Sequence, residues 1–442
     1  MSHHLETASV LVSKIRTGEI TSEELVRDCL ARIEATDDAI HAWAHLDEMQ
    51  ALDQARVLDK MRRDGRPMGG LHGIPVGIKD IIDTADMPTA YGSPIHAGHQ
   101  PGTDATIVAK LREAGAVIMG KTVTTEFAFM SPGKTANPHN AAHTPGGSSS
   151  GSAAAVSAGH VPLAVGSQTA GSVIRPASYC GIFGLKPSRG MISRNGVFRT
   201  SETLDQIGVF GRCLEDVALL TDTLTGHDAA DGSSYARPKP DLTAGCRAEA
   251  PVEPNFVWFE LPFEDRLADD ARAGFGELRD VLGDQVETII LPESLGNIID
   301  HHRIIQQYEM RRHLAREFED SPDQLSSYLR DVLRQAAAHS DEQYAHSLAT
   351  MDSATTFFAE LFNDFDAILT PSATGEAPKG LERTGDPIFC TMWTYCGLPC
   401  LTLPLLTGAH GLPIGVQLIA GLEEDDRLCR SAQWLLNFLD EG

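Results

Sequence analysis

Residues 146–178 read GGSSSGSAAAVSAGHVPLAVGSQTAGSVIRPAS, a stretch of Ser, Gly and Ala with almost no charge. Its first seven residues alone would suit a flexible linker. The residues that follow argue against one. Ala153 to Val156 are compact helix formers, Gly159 suits a left-handed helix end, and Val161 to Val165 is a short apolar run fit for a buried strand. The stretch therefore reads as packed interior around a candidate reactive serine, Ser172. Two other readings of its glycines fail. A phosphate-cradling loop ends in Gly-Lys-Ser/Thr, and no lysine lies between Lys134 and Lys186. A G-x-S-x-G elbow is absent around Ser172, so a nearby histidine is not the expected base.

On either side the chain has the rhythm of an α/β layer fold. Thr21-Ser22-Glu23-Glu24 is a capping box ahead of Leu25, Val26, Cys29, Leu30 and Ile33 at helical spacing. Gly73 to Ile78 and Ala116 to Met119 read as short buried strands, with a helix signal at Asp104 to Ala114 between them. Residues 1–65 are expected to be N-terminal helices and 66–226 the core with the serine-rich segment. Residues 227–254, polar and rich in Gly, Pro, Asp and Ser, read as a surface connection. Beyond it, Asn255 to Phe259 and Val286 to Leu291 read as strands, and residues 290–362 hold a mostly helical region expected to cap the site. Ala367 to Thr370, Leu401 to Leu403 and Val416 to Ile419 are further strand signals, and Asp425 to Leu439 is an amphipathic helix. All of this is expected to form one domain over residues 1–442, a large mixed sheet flanked by helices on both faces.

The 442 residues are 42% apolar and carry a formal charge of −25. A chain this acidic lacks the clustered Lys and Arg that grip phosphate backbones, so nucleic acid and anionic membrane are excluded as partners. The N-terminus has no basic start before a long apolar run, and no segment has the apolar length of a membrane span; the expected location is the cytoplasm. Eight scattered cysteines show no C-x-x-C pair, and the 17 histidines show no ligand pattern. Reduced cysteines, no metal and no cofactor are expected.

Lys79 closes the apolar run GIPVGIK, beside Asp80. It reads either as a surface lysine paired with Asp80 or Asp83, or as a general base whose proton affinity falls on leaving water. Here the chain resembles the amidase signature family of serine hydrolases. LHGIPVGIKD, GAVIMGKTVTTEFA, NPHNAAHTPGGSSSGSAAAVSAG and the GSQTAGS to GLKPS segment fall in the family's order between Leu71 and Ser188. The likeness returns from Thr370 to Ala420 with TPSATGEAP, CGLPCLTLP and GLPIGVQLIAG.

The resemblance implies a triad of Lys79 as base, Ser148 as proton relay and Ser172 as nucleophile, with a cis peptide before Ser148. It implies an oxyanion hole from the N–H groups of Thr169, Ala170, Gly171 and Ser172. Ser149, Ser152 and Ser178 read as capping or packing residues, and Ser150 stands where the family more usually has glycine. Gln168 and Ile174 replace the family's common Asp and Arg, with Arg175 shifted by one. Losing both charges together avoids stranding one partner of a buried pair.

Substrate contacts are expected from Phe127, Phe129, Met130, Ser131, Gly147, Arg175 and Trp393, with Arg199 a further candidate cation. The expected activity is hydrolysis of a C–N bond in a small amide, carbamate or urea-type substrate, by a monomer or homodimer. Alternatives are the glutaminase component of a tRNA-dependent amidotransferase, working with partner subunits, and an inactive binding protein that keeps the fold.

Overall fold

Thr21 opens a long helix with a reciprocal cap: its hydroxyl accepts the Glu24 N–H at 3.1 Å, and the Glu24 carboxylate accepts the Thr21 N–H at 2.7 Å. In the computed structural model, which describes residues 3–441, the N-terminal helices are α1 (Ala8–Thr17), α2 (Ser22–Ile40) and α3 (Glu48–Arg63). Between the last two runs β1 (Trp43–Leu46), a strand too short for its alternation to be read in the sequence.

The core then follows as β2 (Pro75–Lys79), α4 (Thr106–Glu113), β3 (Val117–Thr122), α5 (Ser150–Ser157), β4 (Leu163–Gln168), α6 (Ile174–Cys180), β5 (Phe183–Lys186), β6 (Gln206–Gly211) and α7 (Leu214–Leu224). β2 lies between β3 and β4 and runs parallel to both. Every residue of these three strands is buried, which accounts for the apolar runs at their starts; Lys79, Lys121, Thr122, Ser167 and Gln168 at their ends are buried as well.

Residues 227–254 are less superficial than their composition suggests. They include α8 (Leu242–Arg247), whose Leu242 and Cys246 are buried, and the buried Asp231, whose carboxylate accepts from Arg194 Nη2 at 2.7 Å. The second half runs β7 (Phe256–Glu260), α9 (Asp269–Leu282), β8 (Val286–Ile290), α10 (Ile298–His313), α11 (Ala315–Asp320), α12 (Ser327–Gln335), α13 (Asp341–Leu361), β9 (Ala367–Pro371), α14 (Ile388–Tyr395), β10 (Cys400–Thr407), β11 (Pro413–Ile419) and α15 (Asp425–Glu441).

The eleven strands join one mixed sheet, in the order β1-β3-β2-β4-β6-β5-β10-β11-β9-β7-β8, with helices on both faces. The two halves meet where β5 pairs antiparallel with β10, Leu185 opposite Leu401. One close approach depends on glycine. A Cβ on Gly151, in the first turn of α5, would stand 2.2 Å from the Ala42 carbonyl oxygen and 2.3 Å from the Val123 nitrogen. Gly151 thus lets α5 seat against the sheet just after the paired glycines.

All eight cysteines are free thiols, and only Cys213 is not fully buried. Among the described residues no helix is long and apolar enough to cross a membrane, and no His, Cys, Asp and Glu group is placed to hold a metal.

Candidate active site

Lys79 is the last residue of β2 and is completely buried. Its Nζ donates to Ser148 Oγ at 2.7 Å and to Ser167 Oγ at 2.8 Å. The pairing with Asp80 or Asp83 that the sequence left open is not made. Asp80 instead faces Lys121 at 3.5 Å, and Lys121 also donates to the Ile82 carbonyl and Thr89 Oγ1. Burial without an ion pair pushes Lys79 down to about 7, while the Asp205 carboxylate pulls the other way. An amine in this position exchanges its proton near neutrality.

Ser148 follows a cis peptide from Gly147, and its carbonyl accepts the Thr125 N–H at 3.2 Å. The neighbouring serines are structural. Ser149 Oγ donates to the Ser167 carbonyl, Ser150 Oγ to the Gly146 carbonyl and Ser152 Oγ to the Val165 carbonyl, while Ser178 Oγ accepts the Gly415 N–H. None of these four caps α5 or α6 through its side chain.

Ser172 lies in the turn between β4 and α6, 8% exposed, on the wall of a cavity of about 220 Å³. Among the described residues its hydroxyl has no hydrogen-bond partner, so Lys79 and Ser148 are in contact while Ser172 stands free. Among the same residues, the N–H groups of Ala170, Gly171 and Ser172 find no acceptor in the protein. The next two are satisfied: Gln168 Oε1 accepts from Val173 and Ile174 at 2.8 and 3.0 Å. Gln168 Nε2 donates to Thr394 Oγ1, whose hydroxyl donates to the Ala170 carbonyl. A neutral amide, accepting from one side and donating on the other, thus braces the turn without any charge.

Arg175 is 1% exposed. Its Nη2 donates to the Gly147 carbonyl at 2.7 Å and to Thr384 Oγ1 at 3.2 Å, while Nε and Nη1 have no partner among the described residues. Desolvation lowers its proton affinity.

Of the residues expected to meet substrate, Phe129, Met130 and Arg175 line the cavity. Phe127 does not: it is core, with its ring against Phe198 at 5.4 Å and His96 at 5.9 Å. Trp393 is also core, packed edge-to-face on Phe358 because its helix turns it away from the cavity. Ser131 lies in an adjoining groove of about 810 Å³ and meets Ser326 Oγ at 2.7 Å. Gly147 reaches the cavity only through the Arg175 that its carbonyl holds. Arg199 pairs with Glu202 at 2.9 Å, outside the cavity.

Sequence reasoning overlooked Ser167, Asp205 and His302. Ser167 lies within the serine-rich stretch, next to last in β4. Asp205 directly precedes β6, where an acid beside a buried strand was a usable signal; it accepts the Thr169 hydroxyl at 2.5 Å and the Thr200 and Ser201 N–H groups. His302 projects from α10 and bonds the Thr169 carbonyl at 2.8 Å.

The amidase family model matches residues 24–429. The glutamyl-tRNA(Gln) amidotransferase A-subunit of Chloroflexus aggregans is 35% identical over 471 aligned positions, covering 97% of this chain and 95% of its own. Its counterpart from Streptomyces coelicolor is 32% identical, covering 96% and 93%. Among solved structures, the native peptide amidase of Stenotrophomonas maltophilia superposes with a TM-score of 0.83 at 28% identity, over 98% of this chain and 96% of its own. A chain from a vestigial complex, reported to reveal the evolutionary origins of an s-triazine catabolic enzyme, reaches 0.91 at 26%, over 98% of both chains. Fold, motif order and full-length similarity agree: the chain belongs to the amidase family.

Proposed function

We propose that this chain hydrolyses the C–N bond of a small amide, or of a related carbamate or urea-type compound, through an acyl-enzyme on Ser172. The observation that carries the reading is Lys79, buried without an ion pair and 2.7 Å from Ser148, on a site where the Ser172 hydroxyl is free. Neutral Lys79 takes the Ser148 proton, Ser148 takes the Ser172 proton, and Ser172 Oγ attacks the carbonyl carbon. The N–H groups of Thr169 to Ser172 receive the developing oxyanion. The proton returns by the same relay to the leaving nitrogen as the C–N bond breaks. Water then attacks the ester, gives its proton back along the relay and frees Ser172.

The cavity, at about 220 Å³, lies below the roughly 300–1,000 Å³ of drug-sized sites, which favours a small substrate. Its lining is mixed: Phe129, Met130 and Tyr328 give apolar contact, while Arg175, His302 and Gln306 make it polar. The unpartnered N–H groups of Arg175 favour a substrate that brings its own acceptor, a carboxylate or a second carbonyl, near the scissile bond.

The test is a panel of amides, anilides, carbamates and ureas given to the isolated chain, with Ser172→Ala as control. Hydrolysis by the wild type and its loss in the variant are expected. The similarity to amidotransferase components supports a second reading, a glutaminase that works with partner subunits. Replacement of the charged pair by Gln168 and Ile174 counts against it. Ammonia release from glutamine that appears only with partner subunits would replace the first reading by the second.

A further inference from the structure

Of the peptide planes whose N–H groups are assigned to the oxyanion, Gly171–Ser172 is held locally, its carbonyl accepting the Arg175 N–H at 3.0 Å. Two of those planes are gripped from outside through their carbonyls. Thr394 Oγ1 of α14 donates to the Ala170 carbonyl at 2.6 Å, and His302 Nε2 of α10 meets the Thr169 carbonyl at 2.8 Å. We propose that His302 is a positioning residue for the oxyanion hole, so that the helical cap, by way of this one imidazole, aligns the Thr169–Ala170 peptide for catalysis. The inference rests on Ser172 being the nucleophile.

A carbonyl oxygen only accepts, so His302 Nε2 carries the hydrogen and the ring is the Nε2–H tautomer. Burial, which pushes His302 down to about 4, keeps it neutral at physiological pH. The Thr169 carbonyl and the Ala170 N–H are opposite ends of one planar unit, so fixing the oxygen fixes the direction in which the N–H points. A hydrogen bond to the oxygen also polarises the amide and strengthens the donor at the other end. Thr394 does the same for the Ala170–Gly171 unit, reinforced by the N–H it accepts from Gln168.

The two braces differ in origin. Thr394 lies on α14, just before β10, whereas His302 comes from the capping region. Ile299, Arg303 and Gln306 on the same helix line the cavity beside Ser172. Whatever seats α10 against substrate therefore bears directly on the peptide plane that must face the oxyanion, and a displaced cap leaves that plane unpinned.

The experiment compares His302→Gln with His302→Met. The two side chains are similar in size, but only Gln keeps an N–H near the position of Nε2, so packing losses cancel and the hydrogen bond is isolated. A fluorophosphonate probe supplies the readout, because its phosphoryl oxygen occupies the oxyanion position and no natural substrate is needed. His302→Met is expected to lower the maximal labelling rate by about 10–100-fold at nearly unchanged probe affinity, with His302→Gln recovering most of it. Equal loss in both variants would reduce His302 to packing, and wild-type labelling in His302→Met would remove it from the site; either overturns the proposal. Wild-type protein that is not labelled, or labelling that persists in Ser172→Ala, would instead overturn the assignment of Ser172 and the inference with it.

Discussion

The carboxylate of Asp205 acts on the buried Lys79 amine, yet no ion pair forms between them. Asp205 spends its lone pairs on Thr169, Thr200 and Ser201 instead. The lysine is left close to its point of neutrality, held by two hydroxyls and steadied at a distance by one acid.

The first consequence is a pH limb. Only the neutral amine accepts a proton, so kcat/KM should fall as pH drops through about 7, the value to which burial brings Lys79, and level off above it. Lys79→Arg keeps a cation that does not deprotonate and should cost at least about 10²–10⁴ in rate at every pH. A profile that stays flat from mildly acid to mildly alkaline pH would remove Lys79 from the role of base.

Asp205→Asn tests the charge separately from the contact. The carboxylate stabilises the ammonium form and so raises the lysine's proton affinity; the isosteric amide removes that pull. The acid limb should therefore move to lower pH, while Asn Oδ1 still accepts the Thr200 and Ser201 N–H groups and Nδ2 donates to the Thr169 hydroxyl. The pH dependence of kcat/KM decides, and a limb that moves upward contradicts the sign of the interaction.

Gln168 is placed for stability as well as for alignment. Replacing it by Leu leaves the buried Val173 and Ile174 N–H groups without an acceptor, at about 1–3 kcal/mol each. Urea unfolding should show a loss of about 2–6 kcal/mol. Unchanged stability would mean that water or a backbone shift satisfies both groups.

Arg175 should sort substrates. Arg175→Met removes the two unpartnered nitrogens, Nε and Nη1, of a residue that lines the cavity and is expected to raise KM about tenfold or more for amides that carry a carboxylate, with far less effect on neutral ones. Equal effects on both classes would restrict Arg175 to holding the Gly147 carbonyl and Thr384.

Much of this architecture is legible in the sequence because its signals are local. The Thr21 cap, the buried runs of β2, β3 and β4, and the serine-rich stretch each announce themselves within a few residues. β1, β5 and β6 do not. The first two are only four residues long, and all three gain their stability from neighbours distant in sequence. Phe127 and Trp393 show the same limit at the site, since both sit in segments that border the cavity but point into the core. Asp205 and His302 reach the site from the start of β6 and from α10, and no motif around Ser172 contains them.

The joint between β5 and β10 has a consequence for biogenesis. α6, which begins two residues after Ser172, packs against both β10 and β11, and its Ser178 accepts a hydrogen bond from Gly415. During synthesis Ser172, Ser148 and Lys79 are all made long before the strands that support α6 exist. The nascent chain thus carries the proposed site in parts, and an interrupted translation product that lacks β10 and β11 has its residues without the strands against which α6 packs.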